Sequence, residues 1–187
     1  MILYLHGFNS SPQSHKAQLM ARFMGERGLR EQFDCPALPV RASAAIREIE
    51  NRRVDAGTCL VGSSLGGFYA TYLAEKHGSR AVLINPAIDP HVGLRAYLGP
   101  QKNLHTGEPY ELTEAHLREW AALYVQDITP RRYLLLVETG DEVLDYRQAV
   151  KRYAGAQQVV VQGGDHSLQS FPEHLPRILE FWRAAPV

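Results

Sequence analysis

Cysteine, long hydrophobic runs and an excess of charge of either sign are scarce in this chain, and each shortage argues against one class of protein. Only Cys35 and Cys59 occur among 187 residues, so a disulfide framework is not expected and a reducing cytoplasm fits. Both lie in apolar, strand-like segments, where we expect buried and unreactive thiols. No apolar run approaches the roughly 18 to 20 residues needed to cross a membrane. A membrane span is therefore not expected. Twenty basic residues balance twenty acidic ones, so a nucleic-acid partner is not expected either.

Patterns that bind metals or cofactors are also missing from the sequence. The histidines and acidic residues show no H-x-x-x-H spacing, and the two cysteines lie far apart. The glycine-rich segment 62–67 lacks the lysine of a phosphate loop and the spacing of a dinucleotide fingerprint. We therefore expect a protein that works without a metal ion or a bound cofactor.

What the sequence does contain is an alternation of short apolar runs with amphipathic segments of helical length. Several runs are continuously apolar, which is typical of parallel strands covered on both faces. The pattern predicts an α/β protein with a parallel sheet of about six strands between layers of helices. The predicted strands lie near Ile2–Leu5, Phe33–Pro36, Thr58–Val61, Arg80–Ile84, Tyr133–Glu138 and Gln157–Val161.

Helices are predicted between these strands, and one stretch departs from the alternation. The first helix is expected to begin at Ser11-Pro12, and the last is expected to begin near Glu173. Residues 89–129 contain several turn signals and then an amphipathic segment, so they are predicted to leave the sheet as a small cap. Repeats and linker-like segments are absent, and we expect one domain over residues 1–187.

The strongest chemical signal is Gly62-Ser63-Ser64-Leu65-Gly66, a G-x-S-x-G match. It follows an apolar strand and opens a helical pattern, which is the context of a nucleophile elbow. Glycines two residues on either side of Ser64 allow the sharp turn that exposes and orients a serine nucleophile, whereas Ser63 lacks them. A Gly/Ser turn without chemistry is the alternative, and the flanking strand and helix favour the elbow over it. We therefore predict that Ser64 is the nucleophile.

A nucleophile elbow needs an oxyanion hole, in which backbone N–H groups stabilise the negative oxygen of the tetrahedral intermediate. The loop His6-Gly7-Phe8-Asn9-Ser10 follows the first strand, as such a loop should. We expect the N–H groups of Phe8 and Leu65 to form the hole. His6 precedes the nucleophile and is out of order for a base, so we interpret it as a structural residue of the loop.

An acid and then a histidine are expected after the nucleophile. Asp141 is the first carboxylate beyond the predicted strand Tyr133–Glu138, and Asp145 competes with it. A charged residue and two aliphatic residues follow Asp141, a form common after the acid in this fold, whereas Asp145 has the context of a helix N-cap. His166 lies in a glycine-containing loop after the last strand. We predict Asp141 as the acid and His166 as the general base.

Five segments together resemble the small bacterial YqiA-type esterases, and the match spans nearly the whole chain. The segments are His6–Pro12, Gly62–Gly67, Asn85–Ala87, Thr139–Arg147 and Gly163–His166. The resemblance implies a cytoplasmic α/β-hydrolase with esterase activity, with acyl-CoA thioesters as a further substrate class, and it implies the same triad. The chain lacks the antiparallel strands that precede the first strand in larger hydrolases, so a reduced, all-parallel sheet is expected.

The sequence thus favours a serine hydrolase that cleaves carboxylic esters of small to medium acyl groups through an acyl-enzyme on Ser64. An acyl-CoA thioesterase with the same triad is the close alternative. Only Lys102 and Arg118 in the cap suggest contacts to CoA phosphates, and solvated charge explains them as well. A hydrolase-fold binding protein without activity is a third alternative, and the complete set of candidate catalytic residues argues against it.

Overall fold

The computed structural model describes residues 1–104 and 106–184. The strands are β1 (Ile2–Leu5), β2 (Phe33–Asp34), β3 (Cys59–Ser63), β4 (Arg80–Ile84), β5 (Gly99–Lys102), β6 (Pro109–Leu112), β7 (Tyr133–Glu138) and β8 (Gln157–Val161). The α-helices are α1 (His15–Gly25), α2 (Ala42–Glu50), α3 (Leu65–His77), α4 (Pro90–Gly93), α5 (Glu114–Ala122), α6 (Tyr146–Arg152) and α7 (Phe171–Arg183). None of these helices is long and apolar enough to cross a bilayer. Residue 105 of the predicted cap and residues 185–187 of the predicted domain lie outside the described residues.

Six strands form one sheet in the order β2-β1-β3-β4-β7-β8, and every pairing in it is parallel. Strands β1, β3 and β7 are buried along their whole length, as expected for strands covered on both faces. The predicted parallel sheet of about six strands is confirmed. Because all six strands run the same way, the loops that follow β1, β3, β7 and β8 meet at one edge of the sheet.

Two hydrophobic layers hold the sheet between helices. On one face, α1 and α7 contribute buried residues such as Met20 and Ile178. On the other face, α2, α3, α5 and α6 contribute residues such as Ile49 and Leu73. Each fully buried aliphatic side chain contributes about 1.5–3 kcal/mol, so the two layers strongly favour one arrangement of the strand ends. The loops at the carboxyl edge therefore start from fixed positions.

Residues 89–129 leave the sheet between β4 and β7 and include α4, an antiparallel β5–β6 hairpin and α5. Helix α5 is anchored by the fully buried Trp120, whose indole N–H donates to the Tyr69 hydroxyl at 2.7 Å. The N–H of Leu104 donates to the Asn9 carbonyl at 3.1 Å, and the Tyr110 hydroxyl donates to the Asn9 side chain at 2.6 Å. This excursion therefore packs against the loop that follows β1.

Helix α1 begins at His15, which corrects the predicted start at Ser11-Pro12. The carbonyl of Ser11 accepts the N–H of Ser14 at 3.0 Å, and its hydroxyl accepts the N–H of Gln13 at 3.0 Å. These bonds fold the segment into a turn, a common alternative to helix for serine. The turn brings the first residues of α1 to the carboxyl edge of the sheet.

The start of α7 and the β5–β6 hairpin also differ from the sequence predictions. Helix α7 begins at Phe171, ahead of the predicted start at Glu173, because Pro172 fits the first turn, where no intrahelical N–H donor is needed. The hairpin is missed because Pro100 and Pro109 are typical of turns and are confined to edges when they occur in strands.

The two cysteines differ in burial. Cys59 on β3 is fully buried, but Cys35 follows the short strand β2 and is only half-buried, so the prediction that Cys35 is buried is wrong. Burial nevertheless raises the pKa of both thiols to about 12. Each thiol therefore stays protonated at neutral pH, which disfavours reaction as a thiolate.

Candidate active site

Ser64 occupies the turn between β3 and α3 at the carboxyl edge of the sheet. Its φ of 53° and ψ of −120° are a strained conformation for a residue other than glycine. Backbones approach closely across the neighbouring glycines. A Cβ on Gly66 would lie 1.9 Å from the Leu5 carbonyl oxygen, and one on Gly62 would lie 2.3 Å from the Gly66 carbonyl oxygen. Only glycine fits at these two positions, so steric contact fixes the turn that carries Ser64.

Two free backbone N–H groups flank Ser64. The N–H of Leu65 is the first in α3, and the N–H of Phe8 follows β1; among the described residues neither donates to another protein group. The two segments lie in close contact, because a Cβ on Gly7 would be 3.2 Å from the Ser64 Cβ. The structure thus brings both predicted oxyanion donors next to the predicted nucleophile.

Side chains from the excursion support the loop that contains Phe8. The Phe8 ring makes edge contacts with Tyr97, Tyr110 and Trp120 at centroid distances of 6.2, 6.5 and 6.4 Å. His6 also supports the loop: its Nδ1 donates to the Gly7 carbonyl at 3.0 Å, and its Nε2 accepts the N–H of Leu38 at 3.0 Å. Both ring nitrogens of His6 are therefore engaged in backbone contacts, which fits a structural residue.

Asp141 and His166, predicted as acid and base, are hydrogen-bonded to each other. His166 Nδ1 donates to the two carboxylate oxygens of Asp141 at 2.8 and 3.0 Å. The Asp141 side chain is only 1% exposed, and it also accepts the N–H groups of Val143 and Leu144 at 2.9 and 2.8 Å. Burial alone would raise the pKa of Asp141, but the hydrogen bonds from His166 and the loop outweigh it and lower that pKa. Asp141 is therefore a carboxylate that is hydrogen-bonded to the His166 imidazole.

The remaining predicted residues are also placed by the structure. Asp145 is exposed, and its carboxylate accepts the N–H of Arg147 at 3.0 Å, which confirms it as the N-cap of α6. Ser64 and His166 line the same cavity, but they do not hydrogen-bond to each other. Such bonds are often long without substrate and tighten when it binds.

A buried carboxylate that the sequence analysis missed holds the loop that carries His166. Glu138, the last residue of β7, is 1% exposed. Its carboxylate accepts the N–H groups of Asp165, Gln169 and Ser170 at 2.9, 2.9 and 2.8 Å, and the Ser170 hydroxyl at 2.7 Å. Burial opposes ionisation of Glu138, but these hydrogen bonds outweigh it and lower its pKa. The charged carboxylate of Glu138 thus binds both ends of the loop that carries His166, called the histidine loop below.

A buried amide, Asn85, supports the same loop from the end of β4. Its side-chain N–H group donates to the carbonyls of Asp165 and His166 at 3.1 and 3.2 Å, and its oxygen accepts the N–H of Glu138 at 3.1 Å. The N–H of Ala87 in the same turn donates to the Ser64 carbonyl at 3.1 Å. One short turn therefore contacts both Ser64 and His166. The sequence signal that could have identified Asn85 is its position as a polar residue directly after a buried strand.

A cavity of about 210 Å³ lies in front of Ser64. The loop after β1, the start of α1 and the histidine loop form its walls. Its lining residues are Tyr4, His6, Gly7, Phe8, Ser10, Ser14, His15, Lys16, Ser63, Ser64, His166 and Ser167. Among the residues that the structure describes, no cluster of three or more His, Cys, Asp or Glu side chains could hold a metal ion.

Comparison with solved structures shows which fold this protein has. The mouse alpha/beta hydrolase domain-containing protein 10 has a TM-score of 0.73 at 16% identity, covering 96% of this chain and 87% of the mouse chain. Est1E from Butyrivibrio proteoclasticus has a TM-score of 0.70 at 15% identity, covering 96% and 85% of the two chains. The protein therefore has the α/β-hydrolase fold, and its structural neighbours include hydrolases and esterases.

The family follows from the sequence comparison. The profile described as "Uncharacterised protein family (UPF0227)" matches residues 1–183, so the chain belongs to this family of YqiA-type bacterial proteins. A member from Serratia proteamaculans (strain 568) is 27% identical over 193 residues, covering 97% of this chain and 98% of the relative. A member from Shewanella woodyi is 32% identical over 98 residues, covering 48% and 52%. The resemblance predicted from the five segments is confirmed.

Proposed function

We propose that this protein is a serine hydrolase that cleaves carboxylic esters of small to medium acyl groups. The observation that carries the proposal is the hydrogen-bonded Asp141–His166 pair, which adjoins the cavity lined by the strained Ser64. Ser64 is the nucleophile, His166 the general base and Asp141 the orienting acid. These residues follow the chain order of the acyl-transfer triad in this fold.

Acylation begins when Ser64 Oγ attacks the ester carbonyl carbon and His166 Nε2 takes the hydroxyl proton. Asp141 accepts from Nδ1–H and stabilises the imidazolium without taking its proton. The carbonyl oxygen becomes negative and accepts from the N–H groups of Phe8 and Leu65. The bond to the alcohol oxygen then breaks, His166 donates its proton to that oxygen, and the acyl group remains on Ser64.

Deacylation repeats these steps with water. His166 removes a proton from the water as its oxygen attacks the acyl carbon, and the same two N–H groups stabilise the second tetrahedral intermediate. The bond to Ser64 Oγ breaks, His166 returns the proton to Oγ, and the carboxylic acid leaves. Every proton is carried by His166, so the reaction needs no metal ion or cofactor.

The cavity supports a substrate with a small acyl group. The cavity volume of about 210 Å³ lies below the roughly 300–1,000 Å³ typical of pockets for drug-sized ligands, which fits a small substrate group. Lys102 and Arg118, the residues considered for CoA phosphates, are exposed on the excursion and do not line this cavity. The proposal therefore names esters of small to medium acyl groups as the substrates and thioesters as the comparison to be tested.

Covalent labelling and turnover together test the proposal. A fluorophosphonate should label Ser64, and peptide mapping should locate the adduct there instead of on Ser63. Ser64→Ala should lose both labelling and turnover while circular dichroism stays unchanged. Rates should be compared across acetate, butyrate and octanoate esters and the matching CoA thioesters. An adduct on Ser63, or turnover that survives in Ser64→Ala, would contradict the assignment.

A further inference from the structure

Lys16 places an ammonium group beside the residues proposed for ester hydrolysis. It is the second residue of α1 and lines the same cavity as Ser64 and His166. Its Nζ donates to the carbonyl of Ser167 at 2.7 Å, and Ser167 directly follows His166 in the chain. The ester mechanism proposed above uses no cation at this place. The position of Lys16 therefore calls for a separate explanation.

This ammonium has no carboxylate within salt-bridge distance in the part of the chain that the structure describes. Burial lowers the pKa of Lys16 to about 8, and the more distant charges of Asp165, Glu138 and Asp141 oppose the shift. Each of those carboxylates accepts hydrogen bonds from its own surroundings. Lys16 is partly exposed and lines the cavity, so its ammonium is accessible to an anion there and makes no ion pair within the described residues.

The rest of the cavity also suits an anion. Its described lining contains no Asp or Glu. A carboxylate placed in the cavity would therefore meet no negative side chain, and it would meet an ammonium whose hydrogens are not all used by the bond to Ser167. The cavity must hold the ester group as well, so its volume favours a small anionic group, and one ammonium balances a single negative charge.

We propose that the substrate is a small ester that carries a carboxylate, and that Lys16 is the residue that selects it. The inference rests on the proposed function, because it assigns the substrate of that same cavity. Charge-assisted hydrogen bonds are worth about 1.5–3 kcal/mol, so the carboxylate should raise kcat/KM by roughly 10- to 100-fold. The carboxylate belongs either to the acyl group or to the alcohol, and the two positions can be tested separately.

The wild-type enzyme gives the first test, with pairs of esters that differ only in charge. Monomethyl succinate and methyl succinamate carry a carboxylate or a neutral amide on the acyl side. Acetoxyacetate and acetoxyacetamide carry them on the alcohol side. Product formation followed by proton NMR gives kcat/KM for all four esters. We expect the carboxylate to be preferred about tenfold or more in one pair, and no preference in either pair would overturn the inference.

Substitution of Lys16 gives the second test. Lys16→Met keeps most of the side-chain length and should bring the carboxylate preference close to one, whereas Lys16→Arg should retain most of it. Lys151→Met on α6, an exposed helical lysine outside the cavity, is the matched control and should keep the full preference. A preference that survives in Lys16→Met would overturn the inference.

Thermal unfolding separates this role from a structural one. If Lys16 is kept for binding, Lys16→Met removes an unpaired and partly desolvated charge, and Tm should stay level or rise. A large fall in Tm would show that Lys16 stabilises the fold through its hydrogen bond to Ser167, and it would overturn the inference. The proposed function would stand in that case, because it fails only if Ser64 is neither labelled nor needed for hydrolysis of any ester.

Discussion

The turn that carries Ser64 and the loop that carries His166 meet at one edge of the sheet, but different contacts fix them. Around Ser64 the contacts are steric, because Gly62 and Gly66 bring backbone atoms so close that no Cβ fits. Around His166 the contacts are polar, because Glu138 and Asn85 bind the loop through hydrogen bonds. The proposed nucleophile is therefore held by packing and the proposed base by buried polar groups.

This difference determines how each half of the site responds to change. A steric contact does not depend on protonation, but one added methyl group disrupts it. A hydrogen-bonded loop tolerates small shifts, but it depends on the charge of Glu138 and on each donor being satisfied. Substitutions near Ser64 should therefore act mainly on folding, and substitutions around His166 should act mainly on kcat.

The largest effect is expected for Asp141→Asn, on the polar side of the comparison. The amide keeps the shape of the side chain but favours the wrong tautomer of His166, so kcat should fall about 1,000-fold or more. Steady-state kinetics on a p-nitrophenyl ester measures the loss, and an unchanged circular dichroism spectrum shows that the fold is intact. A kcat within tenfold of wild type would contradict the role proposed for Asp141.

On the steric side, Gly66→Ala should destabilise the fold strongly. The new Cβ would lie 1.9 Å from the Leu5 carbonyl oxygen, a backbone atom that cannot move away easily. We expect a loss of about 3 kcal/mol or more in the free energy of unfolding, measured by urea denaturation. Gly25→Ala is the matched control: nothing lies within 4 Å of the position that its new methyl group would take, and a gain of about 0.4–1 kcal/mol is expected. Equal effects at the two sites would refute the steric account.

Glu138→Gln should have an intermediate effect on the loop that carries His166. The amide removes the charge and turns an N–H group toward the donors of the loop, so kcat should fall about 10- to 100-fold with little change in KM. Because hydrogen bonds lower the folded pKa of Glu138, its stabilisation is present above the unfolded-state pKa of about 4.3 and is lost as pH falls through the folded value. The difference in the free energy of unfolding between wild type and Glu138→Gln should therefore be smaller at pH 3.5 than at pH 7. Urea denaturation at the two pH values measures it.

A double-mutant cycle shows whether Glu138 acts through the base. In a His166→Ala background the base is already gone, so adding Glu138→Gln should change the residual rate by less than about twofold. A full 10- to 100-fold further loss would mean that Glu138 supports something else. Gln158→Ala is a control, because this amide also binds two backbone carbonyls, those of Val150 and Tyr153, but at the end of α6. It should reduce stability without reducing kcat.

The same difference explains how much could be predicted from the sequence. Steric requirements near Ser64 leave glycines at fixed spacing, and continuous apolar runs reveal the parallel strands, so the elbow and the sheet were predictable. Glu138 looks like the polar end of an apolar strand, and the role of Asn85 depends on the order of three strands. Such contacts between distant segments leave no local spacing to detect. The β5–β6 hairpin was missed for a different reason, since its prolines suggest turns.

The smallest effect is expected for Asp145→Asn, which tests the choice between the two aspartates. Asp145 caps α6 and is exposed, and asparagine is about as good an N-cap as aspartate. The free energy of unfolding should therefore change by less than about 0.5 kcal/mol, and kcat should stay within twofold of wild type. Asp141→Asn measured in parallel provides the contrast, because that residue contacts His166 and Asp145 does not. If Asp145→Asn proved the more damaging change, Asp141 would not be the acid, whereas the roles proposed for Ser64 and His166 would still stand.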